Sequence, residues 1–313
     1  MNNQPRPYSL FTIHYLPLTF LMYYIVYGFL YLFSLLPLRV LYWISDFFYF
    51  LVYYVIGYRK EVVMHNLQIA FPQKTVKERT RIAKNFYHKF IDSMIETIKL
   101  LSAPDSFFEK RFTGNWEVIN KYYAEGRSVQ LHLGHNFNWE WGNVSLLMHS
   151  QYKFLGVYMP LANKTFDRIF KKIRSRSGTV LLSAHHMTRE FLPHRNTQYC
   201  LGLVADQSPS NIAKSEWFHF FDRKTAFIMG PAKNAAKNNT VVIFAFINRP
   251  KRGYYHVTFS VAEEFPTAES EIALTHQFVN YLEAVIKANP DMWLWSHRRW
   301  KHAWKEEYGP AIQ

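Results

Sequence analysis

The sequence contains only one cysteine, Cys200, among its 313 residues, which excludes an intramolecular disulfide. The neighbours of Cys200, Gln-Tyr-Cys-Leu-Gly-Leu-Val, are typical of a buried strand, so we interpret it as a reduced core residue rather than a nucleophile. The sequence also lacks Gly-x-Ser-x-Gly, Gly-x-x-x-x-Gly-Lys and His-Glu-x-x-His. These absences argue against a serine nucleophile elbow, a P-loop and a zinc-peptidase helix.

Charge is scarce near the start of the chain. Between residues 7 and 58 the only formally charged residues are Arg39 and Asp46. The run Leu18–Leu36 is uncharged and has about the length that crosses a hydrocarbon core, and a second apolar run, Val40–Gly57, is interrupted only by Asp46. We therefore predict that residues 1–57 form a membrane-inserted helix followed by a helix that lies at the interface or packs on the next domain. The alternative is a buried hairpin of a soluble protein.

Positive charge, by contrast, is in excess: 37 Lys and Arg against 23 Asp and Glu give a net charge of +14. Such an excess favours an acidic partner, whether nucleic acid, an anionic membrane surface, or an acidic protein or phosphorylated substrate. The basic residues begin in number at Arg59, directly after the apolar segment, so the positive-inside rule places this side in the cytoplasm. The basic residues do not belong to any known nucleic-acid-binding motif, and we expect no nucleic-acid partner.

From residue 58 to residue 313 the pattern is that of one catalytic α/β domain. Apolar runs of strand length alternate with helical segments, which predicts a mixed, mostly parallel sheet flanked by helices. The predicted strands are Ser128–Leu133, Lys153–Tyr158, Thr179–Leu182, Tyr199–Ala205, Thr240–Ile247 and Tyr254–Val261. The predicted helices are Thr75–Leu101, Asn115–Glu125, Trp139–His149, Ala162–Ser175, Phe227–Asn238 and Glu269–Ala288.

One stretch, Leu-His-Leu-Gly-His-Asn-Phe-Asn-Trp-Glu-Trp-Gly-Asn, holds a histidine and a glutamate five positions apart, His135 and Glu140. Within a helix these side chains would point roughly 140° apart, and within a strand they would lie on opposite faces. They can meet only if the chain turns between them, and the sequence offers a strand ending at Leu133 and a helix beginning at Trp139. This places His135 at the carboxyl end of a strand, where open α/β folds bind ligands.

A histidine held by a carboxylate is a general base, since the carboxylate fixes the tautomer and stabilises the imidazolium. With no enzyme nucleophile in view, we predict direct transfer of a group from an activated donor to a substrate hydroxyl or amine. The alternative is a glutamate favoured by the helix dipole next to a structural histidine. His132 and His135 face opposite sides of a strand, and we expect no metal.

The chain resembles the late acyltransferases of bacterial lipid A biosynthesis, the lauroyl and myristoyl transferase family, over almost its whole length. The similar stretches are Arg59–Pro72 with Asn66-Leu67 and Phe71-Pro72, Gly134–Glu140, Arg174–Gly178, Ala205-Asp206-Gln207 and Pro290–Lys301. Two positions depart from the family: Phe137 and Asp222 stand where glycine is usual.

The resemblance implies a glycerolphosphate-acyltransferase-like fold, with His135 as general base and Glu140 as its orienting partner. Arg174 and Asp206 would be further catalytic residues. The substrate-binding residues would be Asn138, Trp139, Arg176, Gln207 and Phe221. Taken without the resemblance, the arginines fit a solvated helix face and Asp206 a turn. Trp217–Phe221 and Phe227 fit an acyl tunnel or a core segment equally well.

The resemblance also implies the partners. The donor would be an acyl thioester of acyl carrier protein or coenzyme A, and the acceptor a hydroxyl of a lipid A precursor in the bacterial inner membrane, reached from the cytoplasmic side. We expect no cofactor. Other open possibilities are an acyltransferase that acts on a lysophospholipid or an acylated amino acid, and a catalytically dead membrane scaffold.

Overall fold

The computed structural model describes residues 12–312, with side chains from residue 20 onward. The strands are β1 (Phe112–Gly114), β2 (Val129–Leu133), β3 (Lys153–Tyr158), β4 (Val180–Ser183), β5 (Tyr199–Val204), β6 (Ser215–Phe220), β7 (Arg223–Ile228), β8 (Val241–Lys251) and β9 (Tyr254–Glu263). The α-helices are α1 (Thr12–Leu35), α2 (Leu38–Phe50), α3 (Lys60–Ala70), α4 (Val76–Lys99), α5 (Asp105–Glu109), α6 (Glu117–Ala124), α7 (Trp139–His149), α8 (Lys164–Arg174), α9 (Met187–Phe191), α10 (Gly230–Asn238) and α11 (Glu271–Ala288). A π-helix, Leu51–Ile56, continues α2, and short 3₁₀ turns lie at Leu192–His194, Ile212–Lys214 and Glu306–Tyr308.

The main sheet has seven strands in the order β1-β9-β8-β2-β5-β3-β4. Every neighbouring pair is parallel except β8 and β9, which form an antiparallel hairpin. Strand β2 lies at the centre, and four of its five residues are buried because helices cover both faces. The predicted class, a mixed and mostly parallel α/β sheet flanked by helices, is confirmed.

The predicted strands and most of the predicted helices form with boundaries that differ by a few residues, as helix and strand ends usually do. One prediction was wrong: Phe227 does not begin a helix. It lies in β7, which pairs with β6 in a separate two-stranded hairpin, and α10 starts only at Gly230. The hairpin turn is Phe221-Asp222, with φ of 51° and 56°. Aspartate tolerates this left-handed conformation and glycine adopts it freely, which gives a physical reason for glycine at this position in the family.

The two apolar runs near the start form α1 and α2 with its π-helical extension. Eleven residues of the predicted segment 1–57 lie outside the described residues. Within the described part of the chain, Leu38–Ile56 is the one helix long and apolar enough to cross a membrane, with 19 residues and a mean hydropathy of 1.3. The part of α1 whose side chains are described, Phe20–Leu35, is apolar as well but shorter than Leu38–Ile56.

Candidate active site

The candidate active site lies where two neighbouring parallel strands end. Strand β2 pairs with β5 along its whole length, and beyond the last pair the Ala205 N–H donates to the Leu133 carbonyl at 3.0 Å. Because parallel strands end at the same edge of a sheet, His135 and Asp206 emerge side by side there. Gly134 permits this approach, since a Cβ at that position would lie 3.2 Å from Asp206 Oδ2 and 2.7 Å from Leu282 Cδ1.

His135 and Asp206 are joined by two hydrogen bonds. Nδ1 of the imidazole lies 2.5 Å from Oδ1 of the carboxylate, and the His135 backbone N–H donates to Oδ2 at 2.8 Å. The Asp206 side chain is only 2% exposed, whereas 21% of the His135 side chain is accessible. Burial alone would raise the pKa of Asp206, but the charge of His135 and the hydrogen bonds that the carboxylate accepts hold it below its usual value. Asp206 is therefore a buried, ionised partner for a reachable imidazole.

Asp206 also accepts a hydrogen bond from a residue near the C-terminus. The indole N–H of Trp293 donates to Asp206 Oδ2 at 2.6 Å. Four residues later, Nε2 of His297 accepts the backbone N–H of Ser208 at 3.0 Å, and burial lowers the pKa of His297 to about 4, so this imidazole is neutral. Residues 293–297 thus brace the segment that carries Asp206. Sequence reasoning grouped them only within a family stretch, because 87 residues separate Trp293 from Asp206.

The predicted pairing of His135 with Glu140 is not what the structure shows. Among the described residues, Glu140 Oε1 accepts hydrogen bonds from Arg174 Nε at 2.8 Å and from the Trp139 indole at 3.0 Å. Arg174 Nη2 also forms an ion pair with Oε1 at 2.7 Å. The position of the orienting carboxylate on Nδ1 is held by Asp206 instead. The physical reason is that Glu140 is buried in the first turn of α7, against the end of α8, while adjacent strands bring Asp206 to the histidine.

Glu140 still reaches His135 indirectly, through Trp139. The indole ring of Trp139 lies edge-to-face with the imidazole, with ring centroids 5.8 Å apart, and its N–H is held by Glu140. The second ring nitrogen of His135, Nε2, lies 3.1 Å from the side-chain amide of Gln207. The two ring nitrogens of His135 thus face Asp206 on one side and Gln207 on the other.

The turn between β2 and α7 is fixed by a buried carboxylate that sequence reasoning missed, Glu96 of α4. Asn138 adopts a left-handed conformation with φ of 65°, and its Oδ1 caps α7 at the Trp141 N–H. Its Nδ2 donates to Glu96 Oε2 at 2.8 Å; the same carboxylate accepts the hydroxyls of Tyr255 at 2.5 Å and Tyr42 at 2.6 Å. Burial raises the pKa of Glu96 to about 7 although the charge of Arg249 opposes the shift. Asn138 therefore has a structural role here.

Three positions singled out from the sequence have structural contacts and do not lie beside His135. Arg176 donates to the carbonyls of Leu100 and Ala103, so it closes the end of α4 and is not brought together with His135. Phe221 is buried in the hairpin turn, where its ring lies 5.7 Å from that of Phe71. Phe137 is 1% exposed and packs on Phe86, with ring centroids 5.8 Å apart.

A buried cation, Arg299, lies within Coulombic reach of the site. Its side chain donates to the Ala226 carbonyl at 2.8 Å and lies over the ring of Phe227 at 4.2 Å. Among the described residues its Nε has no hydrogen-bond partner. Burial lowers the pKa of Arg299 to about 9 while the charge of Asp206 opposes the shift. The guanidinium therefore adds a positive field that favours the ionised form of Asp206.

In the described part of the chain, one cluster of side chains has the residue types of a metal site, and it does not include His135. Asp46, His88 and Asp92 bring three ligand atoms together. Arg252 already fills the space between the carboxylates, with Nη2 at 2.6 Å from both Asp46 Oδ1 and Asp92 Oδ1. A guanidinium that neutralises both carboxylates makes this an ion-pair network, and we assign no metal to it.

Two comparisons with known proteins place the chain in a family. Residues 9–302 match the family model of the bacterial lipid A biosynthesis acyltransferases. The chain is also similar to lipid A biosynthesis acyltransferase 2 of Shigella flexneri, with 21% identity over 240 residues that cover 74% of each protein. Since the family model spans nearly the whole chain, the protein belongs to the bacterial lipid A biosynthesis acyltransferases.

Proposed function

We propose that this acyltransferase moves a fatty acyl chain from an acyl thioester to a hydroxyl of a lipid A precursor, with His135 as general base and Asp206 as the carboxylate that orients it. The observation that carries the proposal is the double hydrogen bond between these residues, which fixes both the ring and the backbone of His135. Sequence reasoning gave the orienting role to Glu140. We now give it to Asp206, and Glu140 supports Trp139 and Arg174.

The chemistry follows from that arrangement. Nδ1–H of His135 is held by Asp206, so Nε2 is the unprotonated ring nitrogen. The acceptor hydroxyl replaces the Gln207 amide at Nε2 and gives up its proton there as its oxygen attacks the thioester carbonyl. A carbon–oxygen bond forms, the carbonyl oxygen becomes an oxyanion, and the carbon–sulfur bond then breaks. The imidazolium, stabilised by Asp206, returns its proton to the departing thiolate. No covalent acyl-enzyme is required.

Acyl carrier protein is our preferred donor, with coenzyme A as the other possible carrier of the thioester. An acidic carrier protein complements a chain of net charge +14, and the lipid A precursor is also anionic. The matching family and relative are both named for lipid A biosynthesis, and neither name supports a lysophospholipid or acylated amino acid as acceptor.

We place the enzyme at the bacterial inner membrane with its catalytic domain on the cytoplasmic side. Three features support this location: the apolar α1 and α2, the cluster of basic residues that begins at Arg59 and complements the anionic cytoplasmic leaflet, and a lipid acceptor. A lone cysteine that is buried and reduced fits the same compartment.

The test is acyl transfer by membranes that contain the wild type or His135→Ala, with labelled acyl carrier protein and acyl-coenzyme A offered as separate donors. A lipid A precursor and a lysophospholipid are offered as separate acceptors. We expect transfer to the lipid A precursor and its loss in the variant. Transfer that survives His135→Ala would contradict the mechanism, and transfer only to the lysophospholipid would contradict the substrate.

A further inference from the structure

The first two helices expose a large apolar surface, which we call the outer face. On α1 it includes Phe20, Leu21, Ile25, Phe29, Leu32 and Leu35. On α2 and its π-helical extension it includes Trp43, Phe47, Phe50, Tyr54, Val55 and Ile56. Trp43 is 72% exposed and Phe29 67%. Such a concentration of exposed large apolar side chains on two successive helices marks an interaction surface, because soluble surfaces carry them only singly.

The opposite side of α1 is fastened to the catalytic domain by cations. The guanidinium of Arg168 on α8 lies 4.0 Å from the ring centre of Tyr23, and the ammonium of Lys172 lies 4.1 Å from that of Tyr27. Further along, Lys99 Nζ donates to the carbonyls of Ser34 at 2.6 Å and Leu36 at 2.9 Å. From Tyr23 to its end at Leu35, α1 therefore lies along the charged surface of α8 and α4.

The opposite side of α2 forms hydrogen bonds and ion pairs with the catalytic domain near the middle of the apolar run. The Ser45 hydroxyl donates to Asp92 at 2.6 Å, and the Tyr42 hydroxyl donates to Glu96. Asp46 accepts from Arg252 at 2.6 Å. If Leu38–Ile56 crossed a bilayer, this network would have to lie within the hydrocarbon, where each charge is costly. The length and composition of this helix permit a crossing, but its contacts oppose one.

Cations also border the outer face. Lys60 lies 4.4 Å from the ring centre of Tyr53, Lys84 lies 5.4 Å from that of Tyr54, and Arg39 is exposed at the start of α2. An apolar face bordered by lysine and arginine is the pattern of helices that lie in the plane of an anionic membrane surface. The cations reach phosphate groups while the aromatic side chains enter the acyl region.

We propose that α1 and α2 lie together in the plane of one leaflet of an anionic bilayer, with the outer face in the lipid and the catalytic domain resting on it. Neither helix crosses the membrane. This replaces the expectation of a membrane-inserted helix over Leu18–Leu36. The proposal rests on contacts within the chain and stands whether or not the proposed function is correct.

Labelling of cysteines separates the in-plane arrangement from a spanning one, and the natural Cys200 is fully buried and gives a quiet background. Three variants, each with one added cysteine, are labelled with a membrane-impermeant maleimide: an added N-terminal cysteine, Arg39→Cys and Glu61→Cys. We expect all three to react in inverted membrane vesicles and none in spheroplasts. Labelling of any two from opposite sides would overturn the proposal.

Vesicle flotation of the purified full-length protein tests the partner. We expect it to float with vesicles of phosphatidylglycerol and phosphatidylcholine more than with phosphatidylcholine alone, and expect Trp43→Glu with Phe47→Glu to reduce binding about tenfold, because charge enters the apolar face. The matched control is Ile272→Glu, an exposed apolar position on α11. Unchanged flotation of the double variant would overturn the proposal. A change in its oligomeric state without loss of flotation would show that the outer face binds a second copy of the chain.

Discussion

Asp206 holds His135 twice, through the ring nitrogen Nδ1 at 2.5 Å and through the backbone N–H at 2.8 Å. The first bond sets the tautomer of the imidazole and the second sets the path of the chain behind it. The carboxylate beside the imidazole is therefore Asp206, which follows a different strand, and not Glu140; it is buried and accepts a further hydrogen bond from Trp293.

Asp206→Asn is expected to reduce kcat by about 10³-fold or more, because an amide cannot stabilise the imidazolium and can favour the wrong tautomer. Acyl transfer under saturating donor and acceptor measures the effect, and thermal unfolding checks that the variant is folded. The matched control is Asp222→Asn in the exposed hairpin turn, which we expect to keep wild-type kcat. A similar loss of kcat in both variants would contradict the role proposed for Asp206.

Glu140 and Arg174 are expected to depend on each other. Arg174→Met leaves a 5%-exposed carboxylate without its cation, and we expect a loss of about 2–4 kcal/mol in the free energy of unfolding. Glu140→Gln in the same chain should recover part of that loss, because the buried charge is then gone. Denaturant unfolding of the two single variants and the double variant gives the coupling energy. Additive losses would show that the pair is not coupled.

Glu96→Gln is expected to reduce kcat with little effect on KM for the donor, because the Asn138 side chain that shapes the His135 turn loses its carboxylate acceptor. Tyr42→Phe is the matched control: it removes a hydrogen bond to the same carboxylate but leaves the Asn138 bond in place. Both should lower stability by about 1–3 kcal/mol. If they lowered kcat equally, Glu96 would be only a packing residue.

Acid should destabilise the protein through His132. This imidazole is buried in β2, and burial lowers its pKa to about 3, while the unfolded chain titrates near 6.5. Between these values the unfolded state binds the extra proton, so stability is present above about pH 6.5 and is lost as the pH falls toward 3, by as much as about 5 kcal/mol. His132→Phe should flatten the slope of stability against pH in this window. His65→Phe, at an exposed position of α3, should leave the slope unchanged, and equal slopes in all three proteins would contradict the prediction.

Much of the fold was readable from local pattern. Alternating apolar runs gave the strands of the parallel sheet, and glycine and asparagine after Leu133 gave the turn that presents His135. The failures have physical causes. Trp217–Ile228 carries no glycine or asparagine to mark a turn, so the hairpin of β6 and β7 was not recognised, and its turn depends on two residues with positive φ. The apolar runs of α1 and α2 have the composition of membrane helices, and only their contacts with Arg168, Lys99 and Asp92 reveal a packed side.

By itself, the sequence determined the α/β class, the family and the place of His135 at the end of a strand, because strand periodicity and turn chemistry act over a few residues. The tertiary structure decided which carboxylate the histidine meets. Asp206 lies 71 residues away along the chain, and only the parallel pairing of β2 with β5 brings the two strand ends together. Glu140 is only five residues from His135, but it lies in the first turn of α7. From there its side chain points toward α8 and binds Arg174, not the end of β2.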